Sequence, residues 1–562
     1  MKAVKVLISS ILAVLLLIVI IPKTAALSFN DGGHPKALAR AIAMEMSDEQ
    51  ALAQTFMLGW VGAEPSPLIL NWIKDRNIGG VKIFGWNTGD TRRLAETVGN
   101  LQENALDTRF NIPLLVATDQ EGGLVRHVKG TTSETPGNMA IGASGRPMDA
   151  YWSGFYIGKE LSILGINMNF APAVDLYTNR DSTLIGPRSF GTDPVQAGIL
   201  GAAFVRGLAT QGVIATAKHY PGHGDTDLDS HGVLPRIDAS FELLWERELI
   251  PYRLLAKEKL PAVMTGHLSF PKTQAGDTPA SLSSWFIRDI LKEKIGYQGL
   301  IITDDLMMNG ATNFAGSLSR AAKQALMAGN DIIMLSKTPS LNDQVWTYLL
   351  AAMKDEADFR ARVRDAAQRI LETKLEYLRG DKKIAYIPDL KKVDEGLPDP
   401  EGAAFFLDLA ARSATIVKGR ETIFPLDDKK AGKVLLAGQY QDFFNAGKKA
   451  YPNAVSYWYS SWSSPDLLYY ARNADTIIFC LSDQGGLNVL RSLKGMEKKI
   501  VVFSVLSPVY LDEASWADGA VAVYSYAPES FIAGFSAMLG RIGAAGQLPF
   551  PLNEPLKAVT EN

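Results

Sequence analysis

Only one cysteine, Cys480, occurs in the 562-residue chain. No intramolecular disulfide can form, so stability has to come from core packing. Cys480 lies inside the apolar run 476–481, where a lone cysteine acts as a small hydrophobe. An excess of either charge is also lacking. The 57 basic and 60 acidic residues leave a formal net charge of −3, which gives no electrostatic footprint for nucleic acid. No G-x-G-x-x-G follows the first strand-like run of the C-terminal half, where only Ala437-Gly438-Gln439 stands, so a nucleotide site is not indicated there. One hydrophobic run is long. Lys2 and Lys5 precede Val6–Ile21, and Pro22, Lys23, Thr24, Ala25 and Ala26 follow. A positive start, an apolar run and a small-residue exit read as a secretory signal cleaved after Ala26. The run is shorter than the roughly 20 residues of a spanning helix, and an uncleaved N-terminal membrane anchor is the alternative. No cysteine near the exit offers an acylation site. The expected location is therefore exported: periplasmic, secreted, or anchored on the outer side.

What is present is a repeat of pattern. Short apolar runs at Thr55–Trp60, Gly80–Trp86, Pro113–Asp119, Met168–Leu176, Val213–His219, Ala262–Phe270, Gly299–Asp305 and Asp331–Leu335 alternate with stretches of helical spacing such as Thr91–Leu106 and Ser317–Ala328. Eight buried strands alternating with helices predict an α/β fold, a (β/α)8 TIM-like barrel, over residues 35–380. Residues 381–402, which hold Pro388, Pro398 and Pro400, read as a linker. A second alternation follows over 403–556, with strands expected at 433–437, 455–459, 476–481, 499–505 and 520–524. It predicts a smaller α/β sandwich built on an open doubly wound sheet.

In such a barrel the site lies at the C-terminal ends of the strands, and there the polar residues recur. Asp119, Asp175, Lys218 with His219, His267 and Asp304 end successive runs. A single strand-end aspartate reads as a cap or ion pair; five strands doing this together point to one functional mouth. Three of the six histidines fall within Lys218–His231. Zinc is one reading, because His219 and His223 are four apart. Pro221-Gly222 between them opposes the helix that this spacing needs, and no cysteine or glutamate completes a familiar ligand set. The other reading is acid–base chemistry: Asp229, two residues from His231, can orient one imidazole nitrogen and favour its protonated form. Gly222, Gly224 and Gly232 suggest a loop able to move over a substrate.

Lys218-His219-Tyr220-Pro221-Gly222-His223-Gly224 with Asp229-Ser230-His231 resembles the signature of the NagZ-type β-N-acetylglucosaminidases of glycoside hydrolase family 3. Asp119-Gln120-Glu121-Gly122-Gly123, Asn169–Asp175, Arg188-Ser189-Phe190-Gly191 and Ile302–Met307 follow in the family's order, and a looser likeness runs from Ala411-Arg412-Ser413 to Gly546–Pro549. The resemblance implies that Asp304 is the nucleophile, His231 the acid/base and Asp229 its partner. It also implies that Asp119, Arg188, Lys218 and His219 hold the sugar, with Asp305 and His223 structural and Asp175 bracing the pocket floor. The family usually has an arginine eight residues after the aspartate matching Asp119. Here that position is His127, and Arg126 next to it is the candidate for the contact. The activity implied is retaining exo-hydrolysis of terminal β-GlcNAc from peptidoglycan fragments or chitooligosaccharides, with no cofactor and no metal. Alternatives are a phosphorylase or β-glucosidase of the same family, and a non-catalytic sugar-binding protein.

Overall fold

A computed structural model describes residues 27–227, 232–380, 383–460 and 466–552. The N-terminal apolar run, the Asp229–His231 pair and residues 553–556 lie outside the described residues. The first domain contains strands β1 (Phe56–Gly59), β2 (Gly80–Ile83), β3 (Leu115–Thr118), β4 (Gln120–Gly122), β5 (Val125–Arg126), β6 (Met168–Asn169), β7 (Ile214–Tyr220), β8 (Ala262–Thr265), β9 (Leu300–Asp305) and β10 (Ile332–Leu335). Eight of them close into a barrel in the order β1-β10-β9-β8-β7-β6-β3-β2. Each neighbouring pair is parallel. Every run expected from the sequence holds one barrel strand, because strands covered on both faces are apolar throughout. The run 168–176 is regular only at its start. Pro172, which has no N–H to give, interrupts the ladder, and pairing resumes at the Ala173–Lys218 bridge.

Met57, Leu115, Met168, Ile214, Met264 and Ile302 fill the barrel interior in one cluster, continuous with Leu38 and Ile42 of the helix Pro35–Glu45 and with Leu371 and Leu375 of the helix Ala357–Tyr377. Leu58, Val81, Val116, Val263 and Ile301 point the other way, into the helical ring. Burying each such side chain contributes about 1.5–3 kcal/mol.

Part of the expected linker is helical. Leu390–Gly396 and Pro400–Ser413 are both helical, and Val393 is buried. Asp389 caps the first by accepting from Lys391 N (3.0 Å), and Asp399 caps the second by accepting from Gly402 N (2.8 Å). Pro400 opens its helix at the position where a missing N–H costs nothing. Beyond lies a six-stranded sheet of β11 (Thr415–Lys418), β12 (Val434–Gly438), β13 (Val455–Trp458), β14 (Thr476–Leu481), β15 (Lys499–Ser504) and β16 (Gly519–Ala522), in the order β11-β16-β15-β14-β12-β13. Its pairs are parallel except β11, which lies antiparallel on the edge. A reading based on strand–helix alternation missed β11, because no crossover helix links an antiparallel edge strand. Cys480 is fully buried, and burial pushes its thiol pKa well up.

The two domains share a small core of Met139, Ala140, Ala143 and Tyr177 against Ala522, Tyr524 and Phe550, and Phe406 and Leu409 join the barrel's outer core. An ion pair from Arg412 to Asp149 (2.8 Å) adds to it.

Candidate active site

Lys82 is the one charged residue in the buried strand β2. Its Nζ lies 2.7 Å from Asp119 Oδ2 and donates to the Ile83 carbonyl at 2.8 Å. Asp119 follows β3, and its Oδ1 accepts from Lys218 Nζ of β7 at 2.5 Å. The same ammonium stands 2.6 Å from Glu121 Oε1. Glu121 in turn takes both arms of the Arg188 guanidinium, at 2.9 and 2.7 Å. Arg188 Nη2 lies 3.4 Å from His219 Nε2, and His219 Nδ1 lies 2.7 Å from Asp175 Oδ2. Asp175 also accepts the backbone N–H of His223 at 2.7 Å. From Lys82 to Arg188 the barrel mouth thus carries one chain of charges of alternating sign, each bonded to the next, and His219 links its end to Asp175.

That alternation decides the ionisation. Burial alone would raise the Asp119 carboxyl, but Lys218 and Lys82 outweigh it and hold the pKa well below the usual carboxylate range. Glu121 falls to about 2, again against burial, through Arg188 and Lys218. Burial would lower Lys218, but Asp119 and Glu121 reverse this and raise it. Lys82 is lowered by burial, with Asp119 opposing. His127 drops to about 4, first from burial and then from Lys82. His223 drops to about 4 as well, from burial and then His219.

Asp304 ends β9 facing the same cavity. Burial pushes its pKa up, but the nearby His219 and His267 and the Asp305 N–H, which donates to Oδ1 at 2.8 Å, bring it below the usual range. It is a carboxylate at neutral pH. Its neighbour Asp305 is spent on the backbone, with Oδ1 accepting from Met307 N (3.0 Å) and Ser336 N (3.1 Å), which ties the end of β9 to the end of β10. His267 donates from Nε2 to the Asp305 carbonyl (3.0 Å). Its Nδ1 therefore accepts from Ser281 Oγ (2.7 Å), and burial keeps its pKa down.

These groups surround a cavity of about 470 Å³, lined in part by Asp119, Arg188, Lys218, His219 and Asp304 and walled on one side by Phe84 and Trp86. Five of the residues expected from the sequence are therefore brought together. Asp229 and His231 lie outside the described residues. Arg126 is turned elsewhere: it pairs with Glu134 Oε1 (2.8 Å) and donates to the Thr132 carbonyl (3.1 Å). His127 faces the cavity instead, with Nδ1 at 3.2 Å from Lys82 Nζ and 3.5 Å from Asp119 Oδ2. The cause is the hairpin β4–β5, in which Arg126 pairs with Gln120 and adjacent side chains take opposite faces.

Two glycines of the histidine-rich segment, Gly222 and Gly224, have a packing role beside the loop they suggested. A Cβ on Gly224 would lie 1.5 Å from the Leu176 carbonyl oxygen, and one on Gly222 would meet the Glu248 side chain at 2.6 Å. They allow close packing where the segment leaves the barrel. Asp225 strengthens that anchor through Arg247 at 2.6 Å. Among the described residues, no group of three or more His, Cys, Asp or Glu side chains is arranged to hold a metal ion. Lys82 and Glu121 escaped assignment from the sequence. The signal for Lys82 was a lone lysine inside a strand otherwise apolar; Glu121 sat unassigned in the motif that begins at Asp119.

Residues 50–373 match the family model described as the glycosyl hydrolase family 3 N terminal domain. The chain is 35% identical over 285 residues to a beta-hexosaminidase A of Pseudoalteromonas piscicida, an alignment covering 48% of this chain and 47% of that protein, so that it spans about half the relative's length. It is 37% identical over 266 residues to a beta-hexosaminidase of Tolumonas auensis, covering 47% of this chain and 76% of that one. Among solved structures, a glycoside hydrolase family 3 beta-N-acetylglucosaminidase from Paenibacillus sp. str. FPU-7 aligns with a TM-score of 0.81 at 28% identity, over 90% of this chain and 99% of that one. Its two-domain fold is shared.

Proposed function

The chain belongs to glycosyl hydrolase family 3, and on that premise we propose that it is a retaining exo-β-N-acetylglucosaminidase, removing terminal β-GlcNAc from peptidoglycan fragments or chitooligosaccharides outside the cytoplasm. The observation that carries the reading is Asp304: a carboxylate held ionised at the end of β9, facing a cavity whose other polar groups form fixed charge pairs. Fixed donors and acceptors of both signs suit a ligand rich in hydroxyl groups. The relatives named beta-hexosaminidase support the acetamido sugar. The N-terminal apolar run supports export.

In the first step the Asp304 carboxylate attacks the anomeric carbon as the bond to the leaving oxygen breaks, and His231 gives that oxygen its proton. A glycosyl ester on Asp304 and a neutral imidazole remain. In the second step His231 takes a proton from water, the water oxygen adds to the anomeric carbon and Asp304 leaves as carboxylate. The roles of His231 and Asp229 rest on their spacing and on the family motif. Lys218, Arg188 and Asp119 position the sugar.

The test is kcat/KM of the purified protein on p-nitrophenyl β-GlcNAc beside the β-glucoside. The N-acetyl sugar should be preferred at least tenfold; preference for glucose would refute the reading of the 2-substituent. Product analysis in phosphate buffer separates free GlcNAc from its 1-phosphate, and so hydrolysis from phosphorolysis. His231→Ala should spare the nitrophenyl substrate more than a disaccharide, because only the disaccharide's leaving group needs the proton. Equal losses on both would remove His231 from its role as acid.

A further inference from the structure

Lys82 is fully buried in a strand that is otherwise apolar, a costly place for an ammonium unless each of its protons finds an acceptor. An ammonium has three N–H groups and accepts nothing. Three acceptors stand around Nζ: Asp119 Oδ2 at 2.7 Å, the Ile83 carbonyl at 2.8 Å and His127 Nδ1 at 3.2 Å. The Phe84 ring covers the same nitrogen, with its centroid 4.2 Å away. No proton of Lys82 is left for a ligand, and Lys82 does not line the sugar cavity.

Because Lys82 only donates, His127 Nδ1 has to accept, and the proton of the neutral imidazole then sits on Nε2. The other tautomer would aim a proton from Nδ1 at Asp119 Oδ2, 3.5 Å away, and would set two donors against each other at 3.2 Å. The backbone of His127 is pinned on both sides. Its N–H donates to the Asp119 carbonyl at 2.9 Å, and its carbonyl accepts from Thr88 Oγ1 at 2.5 Å. Nε2 has no hydrogen-bond partner among the described residues, and the ring lines the sugar cavity beside Phe84 and Trp86. The same three side chains border a second hollow, which Tyr526 of the other domain reaches. The ring is neutral above about pH 5: burial first, and then Lys82, bring its pKa down to about 4. Asp119 opposes them, while Lys218 of β7 lowers the value and Glu121 of β4 raises it to smaller extents.

We propose that Lys82 is a positioning residue of this site: it locks His127 in the Nε2–H tautomer, so that His127 serves as an uncharged donor to an oxygen of the bound sugar. The inference rests on the reading of the cavity as the terminal GlcNAc site. In Lys82→Met, Asp119 keeps Lys218, and His127 is free to turn its proton to Nδ1 and donate to Asp119. The sugar then loses its donor, and kcat/KM on p-nitrophenyl β-GlcNAc should fall about tenfold at pH 7.5, the scale of one unmet hydrogen bond. Loss of the ammonium also raises the His127 pKa. At pH 5 the doubly protonated ring regains its Nε2–H, and the deficit against wild type at the same pH should shrink to about threefold or less. A role in packing alone would leave the deficit equal at both pH values. Independently of turnover, 15N NMR of the histidine-labelled wild-type protein, with His127 assigned by its absence in His127→Ala, should show the Nε2–H tautomer at pH 7.5. The Nδ1–H tautomer there would overturn the proposal. So would an unchanged kcat/KM in folded Lys82→Met, or a deficit independent of pH. If Lys82→Met does not fold, the wild-type tautomer decides. Failure of the wild-type protein to cleave the nitrophenyl glycoside would instead sink the glycosidase reading, while the tautomer is still read.

Discussion

Charge is buried at both ends of the barrel, and the two ends use it differently. At the base, Asp331 is fully buried and saturated: it accepts from Ile301 N (3.1 Å), Arg362 Nη2 (2.8 Å) and Arg369 Nε (3.2 Å). Lys374 lies in the helix Ala357–Tyr377, fully buried, with Nζ bonded to Gln54 Oε1 at 3.0 Å. Burial alone lowers its pKa to about 7. At the mouth, the ion pairs are as close, but they ring a cavity and surround one carboxylate that no cation among the described residues pairs with. Among the described residues, the only hydrogen bond to Asp304 comes from the Asp305 N–H, and its ionised form is favoured by histidines nearby. A buried ion pair is therefore a poor marker of a site. What marks this one is an ionised group left open to an empty volume.

The sharpest way to break the comparison is Asp304→Asn, which should lower kcat on every β-GlcNAc substrate by roughly 10⁴-fold or more, read by steady-state kinetics. Stability should fall only slightly, because the ionised form is favoured by the nearby histidines and the Asp305 N–H but no ion pair among the described residues is broken. At the base the outcome should be the reverse. Asp331→Asn leaves two arginines without their carboxylate and should cost about 3 kcal/mol in denaturant unfolding at pH 7, with kcat little changed in the folded fraction. The Asp331 pKa is lowered in the folded protein, chiefly by Arg369 and Arg362 working against burial. That stabilisation is present above the unfolded carboxylate range and is lost as pH falls through the folded value, so the variant and the wild type should converge in acid.

Lys374→Met should stabilise, by roughly 3 kcal/mol near pH 5. The folded pKa of about 7 lies below the unfolded value of about 10.4. Over that interval the unfolded state binds more protons and wild-type stability rises with pH. The advantage of the variant should therefore shrink through that window and vanish above it. An advantage independent of pH would show that the ammonium is not the cause. The smallest effect sharpens the mouth itself. His127→Ala should reduce kcat/KM on p-nitrophenyl β-GlcNAc by about tenfold, through loss of its contacts to Lys82 and Asp119. Arg126→Ala, which removes a side chain from outside the sugar cavity, should stay within about twofold.

The eight barrel strands were legible because each is a continuous apolar run, and Asp119, Lys218, His219 and Asp304 were legible because they end such runs. Lys82 was not, since its meaning depends on Asp119 one strand away. Arg126 and His127 could not be told apart by counting from Asp119, because the register of the β4–β5 hairpin decides which of them faces the cavity. Gly222 and Gly224 read as freedom in sequence, while in space they mark backbone packed against Leu176 and the Glu248 side chain.

By itself, then, the sequence determined the alternation of strand and helix, the division into barrel and sheet, and the polar strand ends that form the mouth. These follow from periodicity and composition, which act over a few residues. Tertiary structure alone decided which charges neutralise which, that Asp304 has no ion-pair partner among the described residues, and that Tyr526 of the second domain reaches the hollow beside Trp86. The reason is physical: Coulomb and stacking energies depend on distance through space, and barrel closure, hairpin register and domain docking set those distances between residues hundreds of positions apart.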